Sequence, residues 1–560
     1  MNGAEALIEA LKREGVRHIF GISGGAALPI YDALAQPAAE SIFNVLVRHE
    51  QAAAHMAEGY AKATGKVGVC LATSGPGATN LVTGIADAIL DSVPIVAITG
   101  QVPTAAIGTD AFQESDIMGI TLPIVKHSYQ VRNAEEIGRI VAEAFYIART
   151  GRPGPVLIDV PRDVSQAPVA EFRYPERVSI RGYQVHAAAD AKDVEAAAAL
   201  IGAARKPVLY VGGGVTGSEA HQELLALAEK IDAPVTTTLM GRGAIPDRHP
   251  LALNMPGMHG TAYANWAIRD CDLLIAVGVR FDDRVTGNLK KFAVNAKVIH
   301  VEVDPAEVHK NRYAQVSILA DAKDALVKLE AACKRAKHSE WRRQIGQWKE
   351  EQPLHYEQNG NLKPQYIMEV LSELTDGEAI LATDVGQHQM WAAQYYPFRR
   401  PRQLLTSGGL GTMGFGLPAA LGAKFARPSE DVWLVTGDGS FQMNLQELAT
   451  SVCYGIPVKI ALFNNQALGM VKQWQELFYG NRYSGIDLSR GPDYKLLAEA
   501  YGCVGITVSK PEEVRPALER ARETDDRTVL IDFQIDPGEH VYPMIPSGLS
   551  VQEMRLQPSK

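Results

Sequence analysis

Residues 432–465 carry the densest chemical signal in the chain, reading VWLVTGDGSFQMNLQELATSVCYGIPVKIALFNN. An apolar run at 432–435 leads into Gly437-Asp438-Gly439, a helix-compatible stretch follows, and a second apolar run at 458–463 leads into Asn464-Asn465. The spacing predicts that Asp438 and Asn465, 27 positions apart, each lie just past the carboxyl end of a strand. In an open parallel sheet those ends lie together and form the ligand-binding edge. One carboxylate and one amide oxygen suit a hard divalent cation such as Mg²⁺, which takes its remaining ligands from substrate phosphates and water. Gly437 and Gly439 leave room for a diphosphate to approach the backbone. Glycine turns beside an Asp are common by themselves; the pairing with Asn465 between two apolar runs gives this one its meaning.

A second acid stands at Glu50, in Val47-Arg48-His49-Glu50-Gln51, where an apolar run at 43–47 meets an alanine-rich helical segment at 51–64. A Glu in a first helical turn ordinarily complements the helix dipole. Beside a diphosphate and metal motif it becomes a candidate for proton exchange.

The elements that must position these residues fall into three α/β blocks, with strands alternating with helical segments. Block one, residues 1–163, has predicted strands at 18–21, 67–73, 94–99 and 155–160 and helices at 51–64 and 80–91. Residues 165–186 lack a period and read as a linker. Block two, residues 187–333, has strands at 207–211, 234–237, 272–277 and 297–303, the first followed by Gly212-Gly213-Gly214. The charged stretch 334–363 is expected to be a surface helix and linker. Block three starts near residue 364, with strands at 379–383, 431–435, 457–463 and 528–535. Thr73-Ser74-Gly75-Pro76-Gly77 and Thr436-Gly437-Asp438-Gly439-Ser440 both follow predicted strands, which suggests a duplicated fold in blocks one and three.

Composition narrows the function classes. At 560 residues the chain is too long for one core. A net charge of −9 with both signs interspersed argues against a nucleic-acid partner. The five cysteines are scattered without CxxC or Cys/His pairing, so a reducing cytoplasmic setting is expected, with neither a zinc site nor a disulfide framework. The first 20 residues alternate apolar and charged positions and match neither a signal nor a transit peptide. The most apolar region, 67–100, is broken by glycines, prolines and Asp87 and Asp91, so no membrane span is expected.

Many further motifs occur in order: Ser23-Gly24-Gly25-Ala26, Arg48-His49-Glu50, Gly108-Thr109-Asp110-Ala111-Phe112-Gln113-Glu114, Gly151-Arg152-Pro153-Gly154-Pro155, Gly386-Gln387-His388, Gly411-Thr412-Met413-Gly414-Phe415-Gly416 and Gln473-Trp474-Gln475. With these motifs the chain resembles, over nearly its whole length, the acetohydroxyacid synthase (acetolactate synthase) catalytic-subunit family of thiamine-diphosphate-dependent enzymes. The resemblance implies an α/β fold of three doubly wound parallel-sheet domains. These are an N-terminal pyrimidine-binding domain (1–165), a central FAD-binding domain (187–333) and a C-terminal diphosphate and Mg²⁺ domain with a tail (364–560). It implies decarboxylation of pyruvate on thiamine diphosphate, and ligation of the two-carbon unit to pyruvate or 2-ketobutyrate.

The resemblance also distributes roles. Glu50 would pair with the aminopyrimidine of the cofactor. Asp438 and Asn465, with the Ala467 carbonyl, would hold Mg²⁺. Pro76, Asn80, Gly386, Gln387, His388, Gly411, Met413, Gly437, Gly439, Ser440, Leu468, Gly469 and Met470 would contact the cofactor. Gln113, Phe112 and Gly25 would lie at the reacting centre, Trp474 would favour 2-ketobutyrate, and Arg284 would hold the second substrate's carboxylate. FAD, without net redox chemistry, would lie on Arg152, Gly212, Gly213, Gly214, Thr238, Leu239, Met240, Met258, His259, Gly260, Thr261, Gly278, Arg280, Asp283, Arg284, Val285, Glu302, Asp304 and Asp321. The triple glycine is not a GxGxxG fingerprint, so the residues alone do not support NAD. A homodimer or dimer of dimers, with a regulatory small subunit, is the implied assembly.

The sequence departs from the family pattern at Ser23 and Val47, where prolines are usual or frequent, and at Thr104-Ala105-Ala106, Arg162 and Ala320. A flavin-dependent pyruvate oxidase would show similar blocks, and a non-catalytic paralogue is a third class. The retained Glu50, Asp438 and Asn465 argue against the paralogue, and Glu50 argues against a glyoxylate carboligase.

Overall fold

Long apolar runs bounded by glycine turns form strands buried on both faces, the condition for parallel sheets covered by helices. The computed structural model describes residues 1–556, and among these there are three parallel sheets. The first contains β1 (His18–Gly21), β2 (Phe43–Leu46), β3 (Gly68–Ala72), β4 (Ile95–Gln101), β5 (His127–Gln130) and β6 (Val156–Pro161), in the order β2-β1-β3-β4-β6-β5. The second contains β7 (Pro207–Val211), β8 (Val235–Thr237), β9 (Leu273–Val277), β10 (Lys297–Glu302) and β11 (Val316–Leu319), in the order β11-β10-β9-β7-β8. The third contains β12 (Ile380–Thr383), β13 (Leu404–Leu405), β14 (Val432–Gly437), β15 (Lys459–Asn464), β16 (Val504–Val508) and β17 (Val529–Gln534), in the order β13-β12-β14-β15-β17-β16.

The first and third sheets share one strand order, so the duplication expected from their glycine turns is present in the topology. Both turns follow the third strand of their sheet, β3 and β14. In all three sheets the order reverses beside the first strand, between β1 and β3, β7 and β9, and β12 and β14. Such a switch point opens a crevice beyond the strand ends where ligands bind.

The predicted helix at 80–91 is broken at Leu81 into Pro76–Asn80 and Val82–Leu90. The stretch read as a linker begins inside a short helix, Arg162–Gln166. The charged stretch after residue 333 does contain a helix, Ser339–Glu351, which is anchored: Trp341 and Ile345 are buried and the Trp341 indole N–H donates to the Pro207 carbonyl at 3.2 Å. Its sequence looked solvated because only one narrow stripe is apolar.

Blocks one and three share a core. Ala53, Met56 and Ala57 of helix Glu50–Thr64 and Leu417, Ala420 and Leu421 of helix Gly416–Ala426 belong to one buried apolar cluster. Polar contacts fix the register of that junction. Lys62 pairs with Asp91 at 2.6 Å, and Asp91 accepts hydrogen bonds from the backbone N–H groups of Gly408 and Gly409. Ser407 donates to Asp87 at 2.9 Å while its oxygen accepts from the N–H groups of Gly411 and Thr412. A loop expected to face the cofactor is thus held by block one of the same chain. No helix among the described residues is long and apolar enough to cross a membrane, and all five cysteines are free.

Candidate functional site

The third sheet builds its site at the β12/β14 switch point. Asp438 starts the short helix after β14 and is 3% exposed. One carboxylate oxygen accepts from the Gly439 N–H at 3.1 Å, and the other is buried without a partner. Burial pushes this carboxyl up to about 7, the signature of an acid that lacks a counter-charge. Asn465 follows β15; its amide nitrogen donates to the Gln387 side-chain oxygen at 3.2 Å, and its oxygen accepts from the Ala467 N–H at 3.2 Å. A Cβ on Gly469 would lie 2.1 Å from the Gln387 oxygen and 2.4 Å from the Asn465 nitrogen, so only glycine lets this pair meet. His388 lies against Gly386 and Gly437, and burial pushes it down to about 3, leaving a neutral imidazole with an unpartnered Nε2. Ser440 donates to the Val385 carbonyl at 2.9 Å. Leu468 and Met413 both approach Gly439, which gathers these three expected residues at one place. The unpartnered buried carboxylate oxygen of Asp438 and the amide oxygen of Asn465, each just past a strand end of the same sheet, form an all-oxygen donor set of the kind Mg²⁺ takes.

The first sheet gathers a second group at its β1/β3 switch point. Glu50 opens helix Glu50–Thr64, and its carboxylate accepts from the Asn80 side-chain amide at 3.0 Å. Gly77 lies beside the other Glu50 oxygen, and Pro76 starts the helix that carries Asn80. At Gly75, with φ of +61°, a Cβ would lie 2.9 Å from the Gln113 Cα, so the turn admits the Gln113 backbone. Gly24, next to Gly25, packs on Thr73 of the same turn. Phe112 stands apart at 88% exposure, held in a loop closed by Glu114 on the N–H groups of Gly108 and Ala111. No hydrogen bond among the described residues joins Glu50 to Asp438 or Asn465.

The second sheet forms a glycine cradle at β7/β9. A Cβ on Gly214 would lie 2.6 Å from the Gly278 Cα, and one on Gly212 would lie 2.3 Å from the Gly278 carbonyl oxygen. Met240 flanks Gly213 on one side and Gly408 on the other, and Arg280 reaches Gly409. Glu302, at the end of β10, is pushed up to about 7 by burial. Arg152 spans to this unit, pairing with Glu307 at 2.9 Å and Asp304 at 3.5 Å. Asp321 accepts from Ser218 at 2.6 Å and caps the helix Ala322–Ala332. Thr238 and Thr261 cap Leu239–Gly241 and Ala262–Asp270, and Gly260 packs under Met255 and Pro256. His259 is buried, neutral and pushed down to about 4.

A separate cleft is lined by Met258, Asp283, Arg284, Val285, Ile545 and Leu549. The Arg284 side chain is 57% exposed there, with its Nε 3.8 Å from the Asp283 carboxylate and its Nη1 3.7 Å from the Met258 sulfur. Residues 541–545 connect this cleft to Trp474: Val541 pairs with Gln473, and the Ile545 N–H donates to the Met258 carbonyl at 2.8 Å. The Trp474 indole N–H is buried without a partner, and its ring meets Phe478 edge-on at 5.8 Å. Met470 occupies the first turn of the same helix, Gly469–Phe478.

Comparison with known proteins gives the family of this chain. The thiamine pyrophosphate enzyme family matches in all three parts: its N-terminal TPP binding domain at residues 1–120, its central domain at 194–329 and its C-terminal TPP binding domain at 384–533. The chain is 52% identical to the acetolactate synthase large subunit of Mycobacterium tuberculosis, over 99% of this chain and 91% of that protein. It is 51% identical to the acetolactate synthase large subunit of Corynebacterium glutamicum, over 99% and 90%. It is 48% identical to the acetolactate synthase isozyme 3 large subunit of Escherichia coli, over 99% and 98%. The chain belongs to the acetolactate synthase large-subunit family.

Within this member of the acetolactate synthase family, three supporting residues escaped sequence reasoning. Asp384, buried at the end of β12, accepts from the N–H groups of Gly414 and Gly416 at 2.7 and 3.2 Å and from Thr436 at 3.0 Å, and so shapes the Met413 loop. An Asp directly after a predicted strand is its available signal. Tyr494 donates to the Asp438 carbonyl at 3.0 Å from a helix 56 positions away, which no local pattern marks. Gln473 sits in the polar-looking Lys472-Gln473-Trp474-Gln475 and is 0% exposed.

Proposed function

We propose that this chain is the catalytic large subunit of an acetolactate synthase. It decarboxylates pyruvate and joins the two-carbon unit to a second pyruvate or to 2-ketobutyrate, giving 2-acetolactate or 2-aceto-2-hydroxybutyrate for branched-chain amino-acid synthesis. One observation carries this reading: about half of all positions are identical to enzymes of that name over 99% of the chain, with Glu50, Asp438 and Asn465 each beyond the carboxyl end of a parallel strand. Thiamine diphosphate supplies the electron sink for decarboxylation when bound. Asp438 and Asn465, with the Ala467 carbonyl, hold Mg²⁺; Gln387, His388, Gly439 and Ser440 surround the diphosphate. Glu50, oriented by Asn80, holds and returns the proton of the aminopyrimidine. Arg284 holds the acceptor's carboxylate, and the glycine cradle with Arg152, Glu302 and Asp321 holds FAD. A regulatory small subunit is the proposed partner. In a pyruvate assay, omission of thiamine diphosphate or Mg²⁺ is expected to stop acetolactate formation. Peroxide formation or quinone reduction in its place would favour a flavin-dependent oxidase.

No hydrogen bond among the described residues joins Glu50 to Asp438 or Asn465, and we propose that a site is completed between block one of one subunit and block three of another. A homodimer or dimer of dimers is the smallest active unit. Gel filtration coupled to assay should find activity only in those fractions, and a fully active monomer would contradict the arrangement.

Trp474 is proposed to contact the acceptor. Replacing it by Leu removes a flat apolar face and should lower the preference for 2-ketobutyrate by about 1–3 kcal/mol, the range of a one-methylene discrimination. Acetolactate formation from pyruvate should persist. The product ratio with both ketoacids present measures this, and an unchanged ratio would make Trp474 a packing residue.

A further inference from the structure

Gln473 is fully buried and uses every direction of its amide. Its oxygen accepts from the Val541 N–H at 3.0 Å and from the Gln387 side-chain nitrogen at 3.0 Å. Its nitrogen donates to the Val541 carbonyl at 3.0 Å and lies 3.6 Å from the Met544 sulfur. Gln387 also donates to the Glu539 carbonyl at 3.2 Å, and its oxygen accepts from the Asn465 nitrogen at 3.2 Å. Three side-chain amides therefore run in series from the backbone of Val541 to Asn465.

A series of amides has two possible polarities, because each can rotate by half a turn and exchange its oxygen and nitrogen. The backbone of Val541 cannot exchange its N–H and C=O. By facing both, Gln473 is held with its oxygen on the N–H side, and this leaves that oxygen to accept from Gln387. Gln387 must then present its own oxygen to Asn465, and Asn465 must present its nitrogen to Gln387. The Asn465 oxygen is left on the other side, where it accepts from the Ala467 N–H at 3.2 Å and keeps a second lone pair for a cation shared with Asp438. In the opposite orientation Asn465 would offer an N–H to the cation, which repels it.

We propose that Gln473 is a positioning residue that, through Gln387, fixes the amide orientation of Asn465, and that segment 539–541 is thereby a part of the metal site. This rests on the reading of Asp438 and Asn465 as Mg²⁺ ligands. The role is distinct from that of the neighbouring Trp474, which projects from the same helix. Outer partners that orient metal ligands commonly change affinity by about 10–100-fold when removed.

The test measures binding of Mn²⁺, in place of Mg²⁺, to the intact oligomer at saturating thiamine diphosphate, with free Mn²⁺ read by electron paramagnetic resonance. Gln473→Met keeps the length but removes both donor and acceptor, and should weaken Mn²⁺ binding by about tenfold or more. In an Asn465→Asp background the two ligand atoms are equivalent oxygens with no orientation to fix, so adding Gln473→Met should change the affinity by less than about twofold. A purely structural role would give the same loss in both backgrounds. If Gln473→Met does not fold, Gln473→Asn, too short to reach Val541 and Gln387 together, takes its place in both backgrounds. Unchanged Mn²⁺ affinity in the Gln473 variant, with loss in Asp438→Ala, would overturn the relay and leave the metal reading standing. Unchanged affinity in Asp438→Ala as well would overturn both.

Discussion

Asp438→Ala is expected to abolish binding of thiamine diphosphate and activity while leaving the fold intact. Asp438 is the charged protein ligand proposed for Mg²⁺, and a diphosphate carrying several negative charges is poorly held without its bridging cation. The same substitution should not destabilise the cofactor-free protein. Burial raises this carboxyl from its usual range to about 7. A raised carboxyl binds its proton more tightly in the folded than in the unfolded state, so its presence costs stability increasingly as pH rises from the unfolded value towards 7, and the full cost applies above 7. At pH 8 the cofactor-free variant should therefore melt at or above the temperature of the parent. Titration calorimetry of thiamine diphosphate with Mg²⁺, alongside thermal melts of the free protein, separates the two effects. Normal cofactor affinity in the variant would remove Asp438 from the metal site.

Glu50→Gln should leave cofactor binding nearly unchanged and slow proton exchange at the thiazolium carbon by about 10²–10⁴-fold, the range for a lost acid or base. The substitution is isosteric, and a Gln oxygen can still accept from Asn80, which donates to Glu50 at 3.0 Å. What disappears is a group able to share a proton with the aminopyrimidine. Exchange followed by proton NMR in deuterated solvent measures the step directly, without relying on turnover. Unchanged exchange would place the proton-handling group elsewhere. The pair of variants also separates the two halves of the site: loss at Asp438 is a loss of affinity, and loss at Glu50 is a loss of rate.

The amino-acid pattern alone shows the central strands, the glycine turns after them and the residues with chemistry at their ends. Runs such as 95–98 and 432–435 are apolar because strands buried on both faces need apolar side chains. Gly437-Asp438-Gly439 and Asn465 were legible because a turn and its strand are neighbours in the chain. Edge strands were harder: β5, β11 and β16 are only partly buried and lack a continuous apolar run.

Which residues become neighbours follows from the packed fold. It placed the turns after β3 and β14 at equivalent switch points, because strand order is set by how helices cross a twisted sheet and not by any local pattern. It left one Asp438 oxygen buried without a partner and set Asn80 on the Glu50 carboxylate from 30 positions away. It turned Gln473, polar and surface-like in its sequence, into the buried centre of a relay to Val541, 68 positions away. Periodicity records which face of an element is apolar. It does not record which backbone group will satisfy a buried amide, because that depends on packing between segments far apart in the chain.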